Sequence, residues 1–308
     1  MIASRTMFND DGFVIVDKPE NMSSARVVAR VKAALKAKKV GHTGTLDPFA
    51  TGILVCCINR ATRLARFFLE GNKTYVATLC LGIETDTQDA TGAVVSENRV
   101  ADLDEKQLVD VFQRFRGWIS QIPPAYSALK HKGVPLYKLA RQGKPVRKPA
   151  RKVHIADIRI LETELPHIRF EVHCSAGTYV RTLCADIGTA LGCGGHLKTL
   201  QRTGSSGFGL ENALSLADVE QLAGSDELAP HVITMADALK GMPAVVADIG
   251  LAAKIAHGIP LTSKDIVPGE KGKPGQYVKL VNRRHHLLAV VQGKKESKNY
   301  DYCCVFQA

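Results

Sequence analysis

No apolar run in this 308-residue chain approaches the ~20 residues that a membrane span requires; the longest, Ile53 to Ile58, has the length of a strand. The first twelve residues, MIASRTMFNDDG, carry no apolar signal core, so a cytoplasmic protein is expected. None of the eight cysteines, at 56, 57, 80, 174, 184, 193, 303 and 304, has a partner at C-x-x-C spacing. Zinc-ribbon patterns are therefore excluded, and reduced thiols acting as small hydrophobes are expected. No glycine-rich nucleotide loop follows any strand-like segment, which argues against a dinucleotide-binding fold. Acids are missing altogether between Ile119 and Ala156.

That last gap matters most for charge. The chain carries a formal +11, and the acid-free stretch alone holds nine cations: Lys130, Lys132, Lys138, Arg141, Lys144, Arg147, Lys148, Arg151 and Lys152. Solvated surfaces normally mix signs. An unmixed basic segment, punctuated by Pro135, Pro145 and Pro149 and carrying Tyr126 and Tyr137, suits a phosphate backbone. Nucleic acid is the expected partner.

Hydrophobic content of 45% is enough to fill a core, and the length allows one large domain plus a small one. Phe13 to Val16 read as a strand stopped by Pro19. Ser23 or Ser24 caps a helix with Val27, Val31 and Leu35 on one face and Arg30, Lys32 and Lys36 turned to water. Ile53 to Ile58 read as a buried strand, and Ala61 to Leu69 as a helix closed by Gly71. Residues 73–81 alternate, with Tyr75, Ala77, Leu79 and Leu81 on one face. Leu108, Val111, Phe112 and Phe115 mark a further helix. Strands near 153–161 and 168–174 and a helix carrying Val180, Leu183, Cys184, Ile187 and Leu191 complete the pattern. Strands and helices interleave with frequent hairpin-like neighbours, so the fold class is α+β. Residues 205–240 are polar and read as a loop-rich boundary between a domain over 1–238 and a second over 239–308.

The segment GHTGTLDPFATG (41–52) displays a single acid, Asp47, in a run of turn-forming residues. Asp-Pro alone is ordinary turn chemistry. No second acid stands nearby, so the paired carboxylates of a glycoside hydrolase are not suggested. The segment closely resembles the catalytic motif of the TruB family of tRNA pseudouridine synthases, G-H-x-G-x-L-D-P-x-A-x-G, at Gly41, His42, Gly44, Leu46, Asp47, Pro48, Ala50 and Gly52. DKPENMSS (17–24), KTYVATLCLGIETDTQDATG (73–92), QIPPAYSALK (121–130), HCSAGTYVRTLCADIG (173–188) and LGCGGHLKTLQRTG (191–204) resemble further family segments, in family order.

The resemblance implies a mixed sheet with a central cleft, in which Asp47 converts uridine 55 in the T loop of tRNA to pseudouridine. That isomerisation leaves composition unchanged, so no cofactor and no metal are needed. Three routes stay open: Asp47 as covalent nucleophile at C1′, as stabiliser of a cationic sugar, or as initiator of uracil elimination. Arg181 is nominated as the cation that keeps Asp47 ionised, and Asp89 is expected to hold Arg181 from the other side. Tyr75 resembles the tyrosine that stacks on the target uracil and is a candidate base for its C5 proton. Tyr179 and Leu200 resemble base-pocket residues, and His42 the residue that fills the space left by the flipped base. Lys18 is expected at the cleft rim.

The insertion at about 122–152 resembles the part that grips the T arm, and the region after 238 looks like a PUA-like RNA-binding domain, with Lys279, Arg283, Arg284, Lys294 and Lys295 facing RNA. A stand-alone bacterial type, monomeric and without an obligatory protein partner, is implied. Two other classes fit parts of the chain: a non-catalytic RNA chaperone using its basic segments, and a metal-dependent hydrolase built on Glu84, Asp86 and Asp89.

Overall fold

A computed structural model describes residues 11–266, 275–294 and 299–306. Strands β1 (Gly12–Lys18) and β3 (Thr51–Ile58) pair antiparallel, and nearly every side chain of both is buried. Their apolar runs are continuous because both faces are covered. On one face, α1 (Ser24–Leu35) and α6 (Leu216–Leu222) bring Val27, Val31, Leu35 and Val219 against Val14, Val16, Leu54 and Cys56. On the other, Phe13, Ile15, Ile53 and Val55 meet Ala61, Leu64 and Phe68. Ser23 caps α1, its hydroxyl accepting from the Arg26 N–H at 3.2 Å. The expected helix over 61–69 is divided into a 3-10 turn, Asn59–Leu64, and a short helix α2, Arg66–Leu69. The three-residue spacing of buried Ala61 and Leu64 suits the tighter winding.

The other half of the sheet is an antiparallel set in the order β4 (Lys73–Leu81), β11 (His167–Cys174), β10 (Arg151–Glu164), β7 (Gly117–Gln121). Alternation along β4 buries Tyr75, Ala77, Leu79 and Leu81 beneath α3 (Glu105–Arg114) and α5 (Val180–Ala190). Gly192, at φ 81, lies just beyond the end of α5.

Strand β12 (Gly195–Ser205) joins the halves. It runs parallel to β3, placing Arg202 opposite Gly52, and antiparallel to β4, placing Arg202 opposite Tyr75. At Gly52, φ is 96° and a Cβ would stand 2.2 Å from the Arg202 carbonyl oxygen, so only glycine permits this approach. Minor strands β2 (Val40–His42) and β13 (Phe208–Gly209) extend β3 and β12. Among the described residues the result is a mixed sheet of eleven strands.

Segment 205–240, expected to be loop-rich, holds β14 (Ala213–Ser215), α6, β15 (Ile233–Thr234) and α7 (Met235–Ala238). Both strands pair with β1, a long-range partner that local polarity does not reveal. A second sheet, ordered β16 (Ala244–Val246), β18 (Tyr277–Val281), β19 (Leu287–Gly293), β20 (Asn299–Val305), β17 (Leu261–Thr262), carries α8 (Ile249–Ala256). Its Val281, Leu287, Val290, Cys304 and Phe306 share a core with Phe13, Phe68 and Met235, so apolar burial welds the two sheets together. None of the helices among the described residues is long and apolar enough to cross a membrane.

Lys279, expected to face RNA, is instead buried. Its Nζ donates to the carbonyls of Ala236 at 2.8 Å and Leu239 at 3.1 Å, stapling the end of α7 to β18. Arg283 and Arg284 are exposed, Lys294 pairs with Asp301 at 3.1 Å, and Lys295 lies outside the described residues.

Candidate active site

Asp47 sits on the loop between β2 and β3, held on both sides of its peptide. Before it, the buried Ser24 hydroxyl donates to the Leu46 carbonyl at 3.0 Å and accepts from the Leu46 N–H at 2.8 Å. After it, Lys18 Nζ donates to the Pro48 carbonyl at 2.9 Å, and also to Pro19 and Met22. Lys18 is wholly buried, not at the rim, and burial lowers its pKa to about 8. An ammonium surrounded by three carbonyl oxygens has its hydrogen-bonding capacity filled inside the fold. The sequence reading missed the clamp by Ser24; the doubled serine in DKPENMSS was the available signal, one hydroxyl capping α1 and the other holding Leu46.

Arg181 projects from the first turn of α5 and is itself buried, 4% exposed. Its Nε lies 2.9 Å from Asp47 Oδ2 without the alignment of a hydrogen bond, and its Nη2 donates to Oδ1 at 3.4 Å. The same guanidinium donates to the carbonyls of Thr87 at 3.0 Å and Tyr126 at 2.8 Å, and its Nη1 lies 3.5 Å from Asp89 Oδ2. The two carboxylates differ sharply. Asp89 is buried, with Oδ1 accepting from both threonine hydroxyls, Thr87 and Thr91, and from the Thr91 N–H.

Asp47 keeps 35% of its side chain open to solvent, and among the described residues its carboxylate has Arg181 as its hydrogen-bond donor. Surrounding protein pushes its carboxyl above the usual value, Asp89 adds to that, and Arg181 pulls the other way. One acid is spent on structure and the other is available for chemistry.

Asp86 accepts from the Ala93 N–H at 2.9 Å, across the hairpin of β5 (Ile83–Thr85) and β6 (Val94–Glu97). The oxygens of Asp86 and Asp89 thus serve that turn and Arg181. Among the described residues, no group of three or more His, Cys, Asp or Glu side chains is placed to hold a metal ion.

Tyr75 is buried on β4, opposite Arg202 of β12 and in the same core as Leu46, the residue before Asp47. Burial raises its phenol above the ordinary value. Arg202, also missed in the sequence, is 2% exposed and donates from Nε to the Ile53 carbonyl at 2.8 Å and from Nη2 to that of Gly44 at 3.1 Å. Leu200, opposite Ala77 on β12, packs in the same core as Leu46 and Tyr75. Tyr179 stands immediately before α5, with Arg151 over its ring at 4.7 Å. His42 is half-buried, its Nδ1 accepting from the Gly44 N–H at 3.2 Å; burial and the Arg202 charge lower its pKa.

The basic insertion leaves the sheet at β7 and returns at β10. It contains a hairpin of β8 (Lys130–His131) and β9 (Val134–Pro135), followed by α4 (Leu136–Arg141). Lys130, Lys132, Lys138, Arg141, Lys144, Arg147 and Lys152 are exposed, whereas Lys148 leans on His131 at 3.4 Å and Arg151 turns inward.

The same architecture occurs in a chain of a Cbf5-Nop10-Gar1 complex, with a TM-score of 0.75 and 28% identity over 96% of this chain and 85% of that one. A chain of an H/ACA RNP bound to a substrate RNA containing 2′-deoxyuridine gives 0.73 and 27% over the same shares. Residues 32–180 match the N-terminal domain of TruB family pseudouridylate synthases, and 181–240 the C-terminal domain of tRNA pseudouridylate synthase B. Fold and sequence together are those of a pseudouridylate synthase. Relatives named tRNA pseudouridine synthase B include one from Syntrophotalea carbinolica, 44% identical over 273 residues and 88% of each chain. Another, from Geobacter sulfurreducens, is 43% identical over 84% of this chain and 85% of its own. The chain belongs to the TruB family.

Proposed function

We propose that this protein isomerises uridine to pseudouridine in tRNA, at position 55 of the T loop, with Asp47 as the catalytic group. The supporting observation is the contact between a solvent-open Asp47 and a buried Arg181 that is held by the Thr87 and Tyr126 carbonyls and faced by Asp89. A carboxylate acting at C1′ must be ionised when the incoming nucleotide displaces water, and a fixed guanidinium offsets that desolvation.

Asp47 meets the ribose, and Tyr75 offers its ring to the detached uracil. A tyrosine phenol is protonated at neutral pH and burial raises this one further, so its resting role is that of a platform on which the base turns. Tyr179 and Leu200 bound the pocket. His42 occupies the place the extruded nucleotide vacates, offsetting part of the few kcal/mol that unstacking costs. The exposed cations of the insertion hold the T arm by its phosphates. No cofactor enters the scheme, and the protein acts as a cytoplasmic monomer without a protein partner.

A tritium-release assay on a T-arm transcript carrying 5-labelled uridine tests the reading. Asp47→Ala is expected to bind the RNA normally and to lose turnover by several kcal/mol of barrier, on the order of that of other single essential groups. Tritium release by Asp47→Ala at the wild-type rate sinks the proposal.

A further inference from the structure

We infer that Gln121 and Arg151 form a positioning pair that couples the root of the basic insertion to Tyr179 and, through the start of α5, to Arg181. The inference rests on the reading of Asp47 and Arg181 as the reacting pair. Gln121 ends β7 and Arg151 begins β10, so they are the residues at which the insertion leaves and rejoins the sheet. They face each other directly in the ladder between those strands.

Both turn to Tyr179. Gln121 is 0% exposed, and its amide makes two hydrogen bonds to one residue: Oε1 accepts from the Tyr179 N–H at 3.0 Å, and Nε2 donates to the Tyr179 carbonyl at 3.2 Å. A side-chain amide paired this way imitates the next strand of a sheet and fixes its partner's peptide in position and tilt. Arg151 places its guanidinium over the Tyr179 ring and donates from Nη2 to the Gly177 carbonyl. Gly177 has φ 85°, and a Cβ there would come within 3.3 Å of Arg151 Cζ. Backbone and ring of one residue are thus held by the two ends of one insertion.

Tyr179 precedes Arg181 by two residues and immediately precedes α5, so a rotation at Tyr179 swings the guanidinium away from Asp47. A second link runs from the insertion itself, through the Tyr126 carbonyl to Arg181 Nη2. RNA seated along the insertion therefore loads the same roots that align Arg181. Gln121 and Arg151 act through other residues and touch no reacting atoms.

Gln121→Met, close in shape but unable to form either hydrogen bond, is the test, measured per folded molecule after thermal unfolding. Its kcat is expected to fall about 10- to 100-fold with KM for T-arm RNA nearly unchanged, as for a displaced catalytic contact. The acidic limb of its kcat profile should move to higher pH, because a loosened Arg181 leaves the Asp47 carboxyl harder to ionise. A purely structural role would lower the unfolding temperature without moving that limb. Should Gln121→Met fail to fold, Arg151→Met, at a half-exposed site, receives the same measurements. Wild-type kcat and pH profile in the folded variant, or a loss carried by KM alone, overturns the coupling. Failure of the underlying reading registers separately, as tritium release by Asp47→Ala.

Discussion

Lys18 Nζ donates to the carbonyl of Pro48 at 2.9 Å, so a wholly buried ammonium fixes the residue that follows Asp47. With Ser24 holding Leu46 on the other side, Asp47 presents its carboxylate from a peptide that cannot turn freely. Preorganisation of this kind lets a single acid act without reorganising as the reaction proceeds.

Lys18→Met removes that anchor and leaves three carbonyl oxygens without their donor. Stability should fall by about 2–4 kcal/mol in urea unfolding, and kcat should drop more than tenfold while RNA affinity holds. The folded ammonium titrates near 8 and the unfolded one near 10.5. Between those values the unfolded chain keeps the proton longer, so the Lys18 contribution to stability rises with pH across that window. The difference between wild type and Lys18→Met should widen there.

Asp47→Asn should abolish turnover and leave the protein at least as stable as the wild type near neutral pH. The folded carboxyl lies above its ordinary value, so the native state binds that proton more tightly than the unfolded chain. Ionising it costs stability as pH rises from the ordinary value to the raised one, and asparagine carries no such cost. A lower unfolding temperature for Asp47→Asn than for wild type at pH 7 would contradict this.

Arg181→Lys cannot span Asp47, Asp89 and two carbonyls at once, since an ammonium lacks the planar fork. Its kcat should fall by at least about 10²-fold, and the acidic limb of activity should shift upward, because the ammonium is no longer held by the Thr87 and Tyr126 carbonyls as a fixed charge against Asp47. Asp89→Asn keeps the acceptor for the threonines but loses the charge facing Nη1. It should lower kcat about tenfold with KM unchanged, read in the same tritium assay.

Replacing Lys130, Lys132 and Lys138 together by glutamine should weaken RNA binding and reduce the slope of log K against log salt by about 2–3, with kcat at saturation retained. Lys279→Met provides the contrast. Its ammonium is committed to Ala236 and Leu239, so the salt slope should be unaltered while stability falls by about 1–3 kcal/mol.

Elements whose partners lie close along the chain were legible in the sequence. The alternation of Tyr75, Ala77, Leu79 and Leu81 predicted β4 and its buried face, and the spacing of Val27, Val31 and Leu35 predicted α1. Less was legible where a residue's role depends on distant partners. The strands at 213–215 and 233–234 exist because β1 pairs with them. Lys18 and Lys279 look like surface cations in sequence, yet each turns to carbonyl oxygens inside the fold. A charge in a sequence gives no sign of which way it points, because burial depends on whether acceptors from elsewhere converge on it.

From the chain alone came the candidate acid, the family to which its motif assigns the chain, and the basic segment suited to phosphate, since residue types at fixed spacing suffice for these. Folding decided which cations stay exposed and which are spent as internal donors. It also decided that Asp47, Arg181 and Asp89, separated by up to 134 positions, stand in line with the roots of the insertion drawn up behind them. Such alignment requires β3, β4 and α5 to meet at β12, with β10 two strands beyond β4, a convergence produced by long-range packing.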